Sequence, residues 1–261
     1  MELNDKKKKV CVPKELNVEQ LNRMPLRCPF GECEATITSS EILGHVLAQH
    51  LRPTSADEEE LNLTFEGERT VLEFDLTQLK PQQTFFLGVL LYGGKRDDPG
   101  GLPANRGLCC LNRFKPEAKD AEVLAEYLPV LVLVRRCYFF EWLDNQKKDD
   151  PKAIKNEELD MFLFWTQSAY CTRPLHITMT VYDRTMSECR SALRQVVNSG
   201  MIHPELDGKQ LPKHKHALWV TYSEMAQMAK SKGSDPKKVQ LELILHEYIK
   251  KTNPTVTASF K

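Results

Sequence analysis

Arg27–Leu51 reads RCPFGECEATITSSEILGHVLAQHL, and the rest of the chain is organised around it. Cys28 and Cys33 are separated by four residues, eleven more lead to His45, and four more lead to His50. Two soft sulfur donors close together, followed by two imidazoles on a predicted helix, is the arrangement tetrahedral Zn²⁺ needs. One structural zinc is therefore the expected cofactor, with Cys28, Cys33, His45 and His50 as ligands. A segment this short cannot bury enough apolar surface to fold alone, so the metal would supply the folding energy. Ile37 and Leu43 are placed to pack under the ion, and Ser39 or Ser40 to cap the helix. The step from His45 to His50 overshoots a full turn by about 140° at ~100° per residue, so the last helical turn has to loosen or tighten. The plainer reading is two buried thiols and two surface histidines; spacing, apolar pair and helix start together favour the zinc finger.

The same stretch is a poor reader of DNA. Between Arg27 and Arg52 its only charged side chains are Glu32, Glu34 and Glu41. Docking in a major groove takes Lys or Arg for phosphates and helix side chains for base edges. No second Cys/Cys/His/His set follows, and single fingers rarely bury enough surface for specificity. The finger reads as structural.

Composition sets the outer bounds. The chain has 261 residues, enough for one to two domains and a sizeable core. Its 36 Lys and Arg balance 36 Asp and Glu, which argues against a dedicated binder of nucleic acid or anionic membrane. Six of its cysteines lie outside the finger: Cys11, Cys109, Cys110, Cys137, Cys171 and Cys189. With no signal peptide and no apolar run of membrane-spanning length, the expectation is a reduced, soluble, intracellular protein of the cytoplasm, the nucleus or both. Lys6–Lys9 reads as a solubilising tail, with nuclear import as the alternative.

Five segments are expected. Residues 1–26 form a flexible leader with a short helix from Val18 to Met24, residues 27–51 the finger, and residues 52–68 an acidic linker closed off by Pro53. Apolar, β-branched and aromatic runs then follow between Gly, Pro, Asn and Asp: Arg69–Leu76, Thr84–Tyr92, Gly107–Phe114, Leu128–Leu143 (two strands or one bent one), Asp160–Tyr170 and Leu175–Tyr182. The pattern predicts a mainly β fold, an antiparallel sandwich over 69–183. Pro116–Tyr127 has helical spacing. Residues 184–261 are expected to be a helical C-terminal extension, with helices over Thr185–Asn198, from the Thr221/Glu224 capping box to Lys230, and over Pro236–Lys251.

The string CPFGEC…HVLAQHL, running into ERTVLEFDLTQL and QTFFLGVLLYGG, resembles the C-terminal half of seven-in-absentia ubiquitin ligases, where such a finger leads into an eight-stranded, TRAF-like sandwich. The layout is also similar to that of an uncharacterised, largely insect family. The resemblance covers about Arg27–Tyr182 and implies a peptide-binding adaptor that dimerises through the sandwich and adds an extended peptide to a sheet edge. The matching strand is Arg69–Asp75, so Thr70, Leu72 and Phe74 are the implied groove residues. Two departures stand out. Only LTQLKPQQ separates that strand from the next, where the family has a further strand contributing to the groove. Upstream of Cys28 there is only Cys11, so residues 1–27 encode no RING, and a link to ubiquitin-ligase substrate recognition would run through a substrate receptor, partner or competitor.

Catalytic constellations are thin: no Gly-rich phosphate loop, nucleophile elbow or His-Glu-x-x-His is present. Lys213–His216 reads as an exposed basic loop, Cys109–Cys110 as a strand pair facing two environments, and Trp142, Trp165 and Trp219 as core. Two functions from different classes remain. The first is a non-catalytic adaptor with a protein or peptide partner. The second is a nuclear zinc-finger factor that binds nucleic acid or chromatin proteins through the finger and basic segments.

Overall fold

The computed structural model describes residues 23, 25–30, 33–50, 61–98, 126–138, 160–169, 171, 173–183, 185–198, 215–230 and 238–247. The expected helices over 18–24 and 116–127, the run 107–114, Cys109, Cys110 and Trp142 lie outside them, apart from isolated end residues. Twelve strands and two α-helices occur among these residues.

The first described elements form a hairpin, β1 (Pro25–Arg27) and β2 (Thr36–Thr38), in which Leu26 lies opposite Ile37. A 3₁₀ turn, Ser39–Glu41, leads into α1, Ile42–Gln49. β1 thus takes in Pro25 and Leu26, the last residues of the expected leader. Likewise β3 (Leu61–Thr64) falls within the expected linker, yet it pairs in parallel with β5 (Thr84–Tyr92).

Two larger sheets follow. The first has six strands in the order β10–β7–β6–β5–β3, with β11 also pairing with β7. Here β6 is Leu128–Tyr138, β7 is Asp160–Ser168, β10 is Val197–Asn198 and β11 is Ala217–Thr221. The run from Leu128 is thus one continuous strand as far as Tyr138. Every residue of β6 from Leu128 to Val134 is buried, so the middle of this sheet is covered on both faces. That burial explains why its sequence is a solid apolar run rather than an alternation. The second sheet has the order β4–β12–β8–β9, with β4 Arg69–Asp75, β8 His176–Tyr182, β9 Cys189–Gln195 and β12 Lys238–His246. Pairing is antiparallel except at β3–β5 and β10–β7. The fold is mainly β, as the sequence implies.

The C-terminal third departs from expectation. Residues 185–198 form strands β9 and β10 rather than a helix, and 236–251 contains β12 rather than a helix. β12 is an interior strand of its sheet, with β4 on one side and β8 on the other. Val239, Leu241, Leu243 and Leu245 all point into the core, and burying each is worth about 1.5–3 kcal/mol. A helix would satisfy its own backbone but would leave β4 and β8 without a partner between them. The sheets therefore run from β3 to β12, well past the expected end at residue 183.

The Thr221/Glu224 helix is present as α2, Tyr222–Met228. Thr221 Oγ1 accepts from the Glu224 backbone N–H at 3.2 Å, and the Glu224 carboxylate accepts from the Thr221 N–H at 2.9 Å. These reciprocal bonds satisfy donors that a helix start leaves open. Trp165 is core, as expected, and Trp219 is partly buried. His216 departs from the expected exposed loop: it is buried, with Nδ1 2.9 Å from the Gln195 carbonyl.

Candidate metal centre and sheet edge

The finger hairpin delivers Cys28 directly after β1, and its N–H bonds the Ala35 carbonyl at 3.1 Å. The Cys33 N–H returns to the Phe30 carbonyl at 2.9 Å, a tight turn that brings the two thiols to one side. His45 lies on α1 itself. His50 is the residue after its end, with φ −120° and ψ −13°, while its N–H still reaches the Val46 carbonyl at 2.9 Å. The backbone thus leaves the helix at His50, which swings the second imidazole back beside the first. This is the loosening that the histidine spacing demands.

The four donor atoms lie within 4.8 Å of one another and form a group that could hold a metal ion. Cys28 Sγ is 3.2 Å from His50 Nε2 and 3.3 Å from His45 Nε2. Cys33 Sγ is 3.5 Å from His45 Nε2, and the two Nε2 atoms are 3.2 Å apart. Beneath the group, Ile37 and Leu43 are buried as expected, joined by Ile42 and Val46. The Phe30 ring stacks on His50 with centroids 4.0 Å apart and planes 10° from parallel. The helix start is held by Thr38, whose N–H donates to the Glu41 carboxylate at 3.1 Å. Ser39 and Ser40 are therefore not the cap, because the chain makes a 3₁₀ turn first. Glu41 three residues after Thr38 is a capping-box spacing, and it was there to be read.

Burial, followed by the nearness of His45, pushes the His50 imidazole down to about 4. Burial likewise lowers His45, against the pull of Glu41. Both rings are therefore neutral, the form that binds metal. Burial pushes the Cys28 thiol up to about 12. A buried thiolate beside a second sulfur needs a cation to form, and a metal is that cation.

The strand expected to form a groove, β4, stands at an edge of the four-stranded sheet and pairs only with β12 among the described residues. Its side chains are arranged differently from the expectation. Leu72 and Phe74 are each only 8% exposed and point between the sheets, with Thr70 half-buried on the same face. The opposite face carries Arg69, Val71 and Glu73. Arg69 pairs with Glu242, and Glu73 with Lys238 at 2.9 Å.

Fold and site together define a β-sheet protein whose sheets follow an N-terminal Cys/Cys/His/His group. Residues 27–232 match the family described as a domain of unknown function, DUF4729, and the chain belongs to it. No curated protein matches the chain. The matched segment takes in all four metal-ligand candidates but ends before β12, an interior strand of the second sheet. Among the described residues, no helix is long and apolar enough to cross a membrane.

Proposed function

We propose that this protein is a non-catalytic interaction adaptor, in which a zinc-stapled finger precedes a sandwich that captures a peptide or partner protein along the open edge of β4. Zinc fits the donor set. Bonds of about 2.3 Å to sulfur and about 2.0–2.1 Å to nitrogen at tetrahedral angles place sulfur and nitrogen about 3.5 Å apart, and the two nitrogens about 3.3 Å apart. The separations of 3.2, 3.3 and 3.5 Å between sulfur and nitrogen, and 3.2 Å between the nitrogens, follow that pattern with a slight contraction. With all four positions taken by protein, the ion has a structural role.

The observation that carries the adaptor reading is the position of β4. Among the described residues it has a strand on one side only, and four residues separate it from β3, which ends the other sheet. Both sheets thus end on strands joined by one short turn. An exposed strand edge offers unpaired N–H and C=O groups to an extended peptide, and main-chain bonds then supply affinity. Because Leu72 and Phe74 are committed to the core, side-chain selectivity falls to the opposite face, where Val71 is 39% exposed between Arg69 and Glu73. Capture of peptides from an extended-peptide library by the full-length protein, followed by amide hydrogen exchange, tests this. New protection at alternate amides of residues 69–75 is expected. Binding with protection confined to other strands would move the site elsewhere.

A further inference from the structure

We propose that His176 and His246 form a second metal site, one that takes a divalent transition-metal cation on the outer face of the four-stranded sheet. The two residues are direct partners across β8 and β12. Side chains at such positions leave the same face with Cβ atoms about 4.5–5.5 Å apart. Two imidazoles starting from that separation can converge on one ion at about 2.0–2.1 Å. Both strands are interior to their sheet, so the backbone beneath the pair is fixed.

The ring nitrogens suit the role. His246 Nε2 lies 2.9 Å from the Thr178 hydroxyl. With Nε2–H donating to that oxygen, Nδ1 carries the lone pair, and an outer hydrogen bond of this kind is how ligating imidazoles are oriented. His176 Nδ1 is buried and has no hydrogen-bond partner among the described residues. A buried ring nitrogen without a partner is costly, and a metal would satisfy it. Burial, aided by the nearness of His246, holds His176 below the ordinary histidine range, so it is neutral and able to ligate at neutral pH.

Arg173, just before β8, is neutralised by Glu247 at 2.8 Å. Two imidazoles with no carboxylate select Cu²⁺, Ni²⁺ or Zn²⁺ over Mg²⁺ or Ca²⁺. Two imidazoles alone would hold this ion, where four protein ligands would enclose one in the finger. The sheet-bound ion would also tie β12 to β8.

The test titrates Cu²⁺ into full-length protein that holds its finger metal, with electron paramagnetic resonance, released zinc and melting temperature as readouts. The expected result is one Cu²⁺ per chain with nitrogen coupling, no zinc released and a raised melting temperature. His176→Asn and His246→Asn should each lose that copper and the thermal gain while keeping the finger metal, and Thr178→Val should weaken copper binding severalfold. Absence of copper binding by wild type, equal binding by both histidine variants, or copper taken up only as zinc is displaced would each overturn the proposal.

Discussion

Phe74 of β4 and Phe164 of β7 meet across the gap between the two sheets, with ring centroids 5.7 Å apart and planes inclined by 54°. This tilted contact ties the edge strand of one sheet to the middle of the other, and it makes Phe74 a core residue. Phe74→Ala should destabilise the fold by about 3–5 kcal/mol, whereas Val71→Ala on the exposed face should stay within about 0.5 kcal/mol. Urea denaturation of both variants checks the pair. A Phe74→Ala protein of wild-type stability would return that ring to a ligand groove.

β12 yields the second prediction. Leu243 is buried between β4 and β8 on a strand bonded on both sides, so Leu243→Asp would bury an unpaired charge. Deleting residues 238–247 should abolish cooperative thermal unfolding altogether, because β4 and β8 would lose the strand between them. A truncated protein that keeps its melting temperature and loses only a partner would show that this strand is an interaction element.

α2 is short, and its first turn depends on one hydroxyl. Thr221→Ala removes the acceptor for the Glu224 N–H and should cost about 1 kcal/mol, with Thr221→Ser recovering most of it. Chemical denaturation of the three proteins measures this. Equal stability of all three would mean that packing alone holds the helix.

Asp183 links β8 to β9. Burial works against its ionisation, but bonds from the Thr185 and Ser187 hydroxyls and the Ser187 and Glu188 N–H groups hold its carboxyl down to about 2. A carboxylate whose folded pKa is depressed stabilises the fold above its unfolded pKa, and that contribution is lost as pH falls through the folded value. Wild-type stability should therefore drop between about pH 4 and about pH 2. Asp183→Asn should be less stable at pH 7 and flatter across that window. Parallel curves for the two proteins would remove Asp183 as the cause.

The parts of the fold that were legible are those where local pattern and tertiary demand coincide. The finger spacing, the alternation of Arg69–Asp75 and the Thr221/Glu224 box each state in sequence what the fold then uses. In β12 the residues KVQLELILH carry two periods at once. Leu241, Ile244 and Leu245 fit a helical stripe, while Val239, Leu241, Leu243 and Leu245 fit a strand. The strict alternation from Lys238 to Leu243 was the better guide, and the vacancy between β4 and β8 decides the matter. β9 offers no such clue. Its residues are exposed or half-buried throughout, so pairing with β8 overrides a sequence with little strand character. In the finger, the contact of Phe30 with His50 depends on where the chain leaves α1, which spacing alone does not convey.

The most direct test of the account is the metal content of the finger. Native mass spectrometry and elemental analysis of full-length protein, purified without added metal and dialysed against a weak chelator, should find one zinc per chain. Cys28→Ser and His50→Ala should each lose it together with the amide protection of residues 33–50. Zinc-free wild-type protein with that protection intact would contradict the account.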